Sequence, residues 1–117
     1  MSLPITNGLY SISIEMRDGV RGRATGVIVL RDGVILGGDS YFYYTGSYTC
    51  DGGKWRGDLI TYQHTPAVGL NLVFGGRDVS CGFSGTYGEG AAEVFGTALV
   101  GKTSVSFRAA LAVMVED

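Results

Sequence analysis

The segment with the clearest chemical pattern lies near the carboxyl end, where residues 96–103 read GTALVGKT. This order matches the loop that binds nucleotide phosphates, in which backbone N–H groups and a lysine surround the phosphates. Such a loop needs a helix directly after it, because the N-terminus of that helix faces the phosphates. Here the residues after Thr103 alternate between apolar and polar, as in a strand. We therefore interpret Gly101 and Lys102 as a hairpin turn and expect no nucleotide cofactor.

Residue types that form catalytic and metal sites are few. His64 is the single histidine, and Cys50 and Cys81 are the two cysteines. One imidazole and two thiols without a CxxC pair cannot form a tetrahedral zinc site by themselves. No pattern places a cysteine or a serine beside His64, and most carboxylates fall in predicted turns and at the termini. The sequence therefore predicts a protein that is not an enzyme and has no catalytic, metal or cofactor residues.

Charge and hydropathy exclude further classes of function. Nine Lys and Arg residues against eleven Asp and Glu residues give a net charge of −2, so the basic surface of a nucleic-acid-binding protein is missing. The aromatic residues between Tyr41 and Tyr62 are therefore expected to pack in the core or at an interface. The amino-terminal residues lack the pattern of a signal peptide, and no apolar run approaches the ~20 residues of a membrane helix. We expect a cytoplasmic protein with reduced core cysteines and no membrane partner.

Glycine is the most unusual feature of the composition. It accounts for 20 of the 117 residues, roughly twice the ~7% of an average protein. No three-residue period accompanies it, which excludes collagen, and glycine is unfavourable inside helices. The excess therefore favours β-structure with many turns and bulges. The length fits one domain, which we assign to residues 4–117.

Apolar and polar residues alternate with a period of two through most of the chain, which predicts strands. Turn residues such as Asp32-Gly33 and Asp51-Gly52-Gly53 separate them. The residues that share one face of a predicted strand are, in chain order, Tyr10, Ile12, Ile14 and Met16; Gly22, Ala24, Gly26, Ile28 and Leu30; Trp55 and Leu59; Val79, Cys81, Phe83, Gly85 and Tyr87; Ala92, Val94, Gly96, Ala98 and Val100; Val105, Phe107, Ala109, Leu111, Val113 and Val115.

About eight such strands joined by short turns predict an all-β protein. A small domain with many strands removes its exposed edges most readily by closing, so we expect an antiparallel up-and-down barrel with at most one short helix, near Pro66. An open meander and a two-layer sandwich remain possible. The interior of an eight-stranded barrel is just large enough to be filled by side chains or to hold one small ligand.

Four sequence blocks together resemble a known family. They are residues 7–12 (NGLYSI), 25–29 (TGVIV), 34–39 (VILGGD) and 44–48 (YTGSY). In this order they resemble the GrlR-like negative regulators of type III secretion. The resemblance implies a small lipocalin-like β-barrel that forms dimers, has no catalytic site and acts by binding a transcriptional activator.

The surface loop after the fourth block is the expected partner-binding region. In the family's best-known member this loop carries an acidic cluster that engages the activator. Here residues 49–58 read TCDGGKWRGD, in which the acids are separated and two bases occur. The predicted partner-binding residues of this loop are Asp51, Lys54, Trp55, Arg56 and Asp58.

We predict a non-enzymatic regulatory binding protein. The alternative is a carrier that holds a small apolar molecule inside the barrel, because small inner residues would leave space for it. Bulky neighbours could equally fill that space. The small inner positions are Gly22, Ala24, Gly26, Ala92, Gly96 and Ala98.

A homodimer is the third expectation. Val27 and Val29 alternate with apolar residues of the opposite face, so apolar side chains remain outside once the interior is filled. A two-fold dimer would cover them by placing the same patch against itself. Tyr41 and Tyr43 could add aromatic anchors of the kind enriched in interfaces. We therefore predict an interface that contains Val27, Val29, Tyr41 and Tyr43.

Overall fold

The structure, a computed structural model, describes residues 5–16, 23–65, 79–100 and 103–117. Within these ranges the chain forms eight β-strands and no helix. The strands are β1 (Gly8–Met16), β2 (Arg23–Arg31), β3 (Val34–Gly38), β4 (Phe42–Asp51), β5 (Lys54–Gln63), β6 (Val79–Gly88), β7 (Ala91–Val100) and β8 (Thr103–Glu116). The short helix predicted near Pro66 falls outside the described residues.

The eight strands form a closed barrel. Each strand pairs antiparallel with the next one along the chain, and β8 pairs with β1 to close the sheet. Every described strand therefore has a hydrogen-bonded neighbour on both sides, which removes the exposed edges of an open sheet. This confirms the predicted up-and-down barrel of about eight strands, and the open meander and the sandwich are wrong.

The inner face of the barrel is the core. Tyr10, Leu30 and Ile35 are its most deeply buried large side chains. The predicted inner faces are confirmed for the described positions of all six strands except at Val115. Met16, Gly22, Ala24 and Val100, which the sequence also placed there, lie outside the residues whose side chains are described.

Val115 was expected to share one face of the last strand with Val105 and Val113, and this prediction is wrong. The register between β1 and β8 shifts at Leu9 and Tyr10, so that Tyr10 pairs with Val113 but Leu9 pairs with Val115. One additional residue, Met114, is thereby accommodated in β8, as in a β-bulge. Because the alternation changes phase there, Val115 points outward and is 59% exposed.

Two hairpin turns confirm the turn predictions. Asp32 and Gly33 join β2 to β3 with φ values of 49° and 87°, and Gly52 and Gly53 join β4 to β5 with 62° and 82°. Two successive positive φ values are typical of the tight turns whose twist matches that of paired strands. At the GKT match, β8 begins at Thr103, so a strand stands where a phosphate-binding loop requires a helix. Gly101 and Lys102 themselves lie outside the described residues.

The two cysteines differ in environment. Cys81 is buried in the core, and burial raises the pKa of its thiol to about 12, so the group stays protonated at neutral pH. Cys50 is half-buried and packs against the edge of the core. The expected core position is thus confirmed for Cys81 and only in part for Cys50.

Candidate functional site: the outer wall of the barrel

Among the described residues, side chains fill most of the barrel interior. One interior cavity that they line has a volume of about 30 Å³ and an apolar lining. Pockets that bind small molecules usually measure ~300–1,000 Å³. A Cβ atom on Gly96 would overlap the Phe107 ring, and one on Gly57 would lie 2.9 Å from Cζ of Phe83. Aromatic rings thus occupy the space beside Gly57 and Gly96, and the described part of the interior gives the carrier hypothesis no support.

A cluster of edge-to-face aromatic rings packs within this core. The Trp55 ring lies 5.7 Å from the Tyr48 ring at 83° and 5.0 Å from the Phe83 ring at 66°. The indole N–H of Trp55 donates a hydrogen bond to the carbonyl oxygen of Glu93 at 3.4 Å. Edge-to-face pairs place the positive edge of one ring against the negative face of another. The described part of the interior is therefore packed around these rings, and the candidate site lies on the outer wall.

The outer wall over β2–β5 carries a continuous apolar face. Strand register aligns Val29, Leu36, Thr45 and Ile60 in one row across the four strands. The adjacent row consists of Val27, Gly38, Tyr43 and Tyr62. These two rows contain no charged residue. We call their large apolar members the apolar face: Val27, Val29, Leu36, Tyr43, Ile60 and Tyr62.

The apolar face is open to solvent in the single chain. The exposed fractions of Val27 and Val29 are 45% and 38%, and that of Leu36 is 54%. Tyr43 and Tyr62 stack on each other with their ring centroids 5.1 Å apart. Contiguous exposed apolar patches of this kind are rare on monomeric proteins unless they bind another molecule. The face is therefore a candidate interaction surface.

Three of the four predicted interface residues lie on this face. Val27, Val29 and Tyr43 point outward on neighbouring strands, as predicted. Tyr41 differs, because it precedes β4, is half-buried and packs against the core. Leu36 was not among the predicted interface residues, although Val34-Ile35-Leu36 is apolar on both faces of its strand, as the β2 segment with Val27 and Val29 is.

The predicted partner-binding loop is a hairpin. β4 ends at Asp51 and β5 begins at Lys54, so only Gly52 and Gly53 form the turn. Asp51, Lys54, Arg56 and Asp58 are exposed on its outer side. Whether these four bind a partner stays a prediction.

Trp55 does not belong to that surface. Its side chain points into the barrel and is 3% exposed, because the inward positions of β5 are Trp55, Leu59 and Thr61. Its assignment to an exposed partner-binding loop is wrong. The alternation of β5 itself carried this information, since Trp55 and Leu59 share a face.

Ion pairs order part of the opposite wall. The Arg108 guanidinium donates a hydrogen bond from Nε to Oε1 of Glu93 at 2.9 Å and lies 4.0 Å from the Glu15 carboxylate. The hydrogen bond from Arg108 lowers the pKa of Glu93, and the same bond raises the pKa of Arg108. All three groups are on the barrel surface, where such pairs contribute little to stability.

The connection between β3 and β4 contains Asp39, whose carboxylate accepts three hydrogen bonds. Oδ1 of Asp39 accepts hydrogen bonds from the backbone N–H groups of Tyr41 and Phe42, each at 2.9 Å. The Tyr44 hydroxyl donates to Oδ2 of the same carboxylate. Burial, reinforced by that bond, raises the pKa of Tyr44. The cluster fixes the corner that follows Gly37-Gly38.

His64 joins this corner from the end of β5. Its Nε2 lies 3.0 Å from the carbonyl oxygen of Asp39, and its Nδ1 lies 2.7 Å from the Thr65 hydroxyl. Its backbone N–H donates to the carbonyl oxygen of Tyr41 at 2.8 Å. These contacts fasten β5 to the β3–β4 corner. In the part of the chain that is described, no three His, Cys, Asp or Glu side chains are grouped to hold a metal ion.

Comparison with family models and curated proteins adds no relative. No protein-family model matches the chain, and no curated protein matches it. Among the described residues there is no helix long and apolar enough to cross a membrane. The resemblance to the GrlR-like regulators therefore rests on its four sequence blocks.

Proposed function

We propose that the protein is a non-enzymatic binding protein of the cytoplasm that acts as a homodimer and regulates transcription by binding an activator. The observation that carries this proposal is the uncharged apolar face on the outer wall, beside an interior whose described residues leave a cavity of only about 30 Å³. Such a barrel offers its outer wall to other molecules. The four sequence blocks that resemble negative regulators of type III secretion support the regulatory role.

The occupant of the apolar face is a second copy of the chain. The face has no charge that would select an oppositely charged partner, and a second copy offers an equally uncharged apolar surface. Two-fold symmetry places the same patch on both sides of such an interface. The stacked Tyr43 and Tyr62 rings are aromatic anchors of the type enriched at interface centres.

Light scattering at tens of micromolar tests the dimer. The expected mass is about twice the 12.3 kDa of one chain. Substituting Val27→Glu and Val29→Glu together should return the mass to that of a single chain, because two carboxylates would be desolvated in the interface. Ser84→Glu and Ser104→Glu add the same charge on exposed positions of β6 and β8 and should leave the dimer intact. A wild-type mass near 12.3 kDa contradicts the dimer, and an unchanged mass in the valine variant contradicts this interface.

A reporter assay tests the regulatory role. In bacteria in which a transcriptional activator drives a type III secretion promoter, coexpression of the chain is expected to lower reporter activity without lowering the amount of activator. Physical association should appear as co-purification of that activator with the tagged chain. Unchanged reporter activity at equal expression would contradict the proposal.

A further inference from the structure

Gly82 lies in β6 at a position where the fold leaves room for a larger side chain. It lies on the outer side of β6 and is exposed, and its φ is not in the positive range. A Cβ atom at this position would have only one described atom within 4 Å, Oδ1 of Asp58 at 3.9 Å. Other strand glycines, such as Gly57 and Gly85, have neighbouring backbone where a Cβ would lie. Glycine inside a strand often marks the close approach of a ligand or another backbone.

Two shallow, wide-open grooves on the outer wall meet at Gly82, and we call them together the Gly82 groove. One, of about 430 Å³, crosses β4 to β6 and is bordered by Thr49, Arg56 and Asp58. The other, of about 440 Å³, crosses β6 to β8 and is bordered by Ser84, Phe95 and Thr97. Gly82 lines both. Five neighbouring strands ~4.8 Å apart span about 19 Å, the length of an extended segment of roughly six residues.

The borders of this Gly82 groove combine three kinds of contact. Arg56 and Asp58 point outward from β5, and neither forms an ion pair with another described residue. Phe95 stands on the other side of β6, aligned with Ser84 and Arg56, and is 43% exposed. Serine and threonine hydroxyls between them can donate or accept hydrogen bonds. The groove thus offers an anion, a cation, an aromatic ring and neutral polar groups in two adjacent rows of residues across the strands.

We propose that the Gly82 groove binds an extended peptide segment of the partner protein, with the peptide backbone against Gly82. A basic side chain of the segment pairs with Asp58, and an apolar side chain packs on Phe95. A peptide backbone presents both donors and acceptors, which the hydroxyls can match. Asp58 offsets the charge of Arg56, so the groove lacks the net positive charge that a nucleic acid requires. The inference rests on the proposed function, since it assigns the surface through which the regulator holds its partner.

Selection from a random heptapeptide library displayed on phage tests this groove. Enriched peptides are expected to contain a basic and an apolar residue. Synthetic copies should bind Gly82→Leu at least about tenfold more weakly than wild type, and Asp58→Asn likewise. Ser80→Leu adds the same side chain to an exposed position on the same strand and should bind as wild type does. Lack of any enriched peptide, or equal binding to wild type and Gly82→Leu, overturns the proposal.

The variants also separate this inference from the proposed function. If Gly82→Leu fails to fold, Gly82→Ala and Asp58→Asn decide the peptide test. Reporter repression that persists undiminished in both groove variants overturns the groove as the partner site and leaves the regulatory role standing. The wild-type chain could instead bind peptides at Gly82 and repress no reporter. That result would contradict the regulatory role but would still support the groove as a peptide-binding site.

Discussion

Gly85→Ala is expected to prevent the barrel from folding, whereas Gly82→Ala, on the same strand, should fold normally. A Cβ atom at Gly85 would overlap the carbonyl oxygen of Glu93 and lie 2.8 Å from Cα of Val94. These are backbone atoms of the paired strand, so β6 and β7 would have to separate. The loss should exceed about 4 kcal/mol, a large part of the stability of a small domain.

The test compares the two alanine variants with wild type. Far-UV circular dichroism reports the sheet, and urea unfolding at one protein concentration reports the free energy of unfolding. Gly82→Ala should change that free energy by about 1 kcal/mol or less, since its Cβ enters open space. Unfolding midpoints that agree between Gly85→Ala and wild type would show that the close approach of β6 and β7 is not a constraint.

Asp39→Ala is expected to destabilise the barrel by about 3 kcal/mol, because the substitution leaves several hydrogen-bond donors without a partner. The backbone N–H groups of Tyr41 and Phe42 lose their acceptor, and so does the hydroxyl of the buried Tyr44. Tyr44→Phe removes one bond and leaves the other two, so its effect should be about 1 kcal/mol. The corner between β3 and β4 depends on the carboxylate more than on the ring hydroxyl.

A double-mutant cycle measures this coupling. In Asp39→Ala with Tyr44→Phe, no buried hydroxyl remains unpaired, so the loss should be smaller than the sum of the two single losses. Fluorescence of the buried Trp55, the single tryptophan of the chain, can follow unfolding by urea. Strictly additive losses would mean that Tyr44 and Asp39 do not stabilise each other.

Most of the barrel follows from local sequence. Alternation in strands such as β2 and β6 predicts which side chains share a face, because successive side chains of any strand lie on opposite faces. Positive φ at Asp32-Gly33 likewise follows from the turn residues themselves. These features depend only on residues that are neighbours along the chain, so they can be predicted from a single sequence.

The surface features were decided by contacts between strands. The bulge that turns Val115 outward arises from the pairing of β8 with β1, two segments at opposite ends of the chain. Leu36 and Ile60 join Val29 in one apolar row only because register aligns them.

Gly82 and Gly85 show, within one strand, that sequence alone does not tell which glycines the fold requires. Both read as glycine in an alternating segment, yet backbone of β7 occupies the space at Gly85 while the space at Gly82 is open. The sequence by itself determined the strands, the turns at Asp32-Gly33 and Gly52-Gly53, and the shared faces of the described strands apart from Val115. Which outer residues meet, and which glycines the fold requires, was decided by the tertiary structure, because register and coiling arise only when distant strands pair.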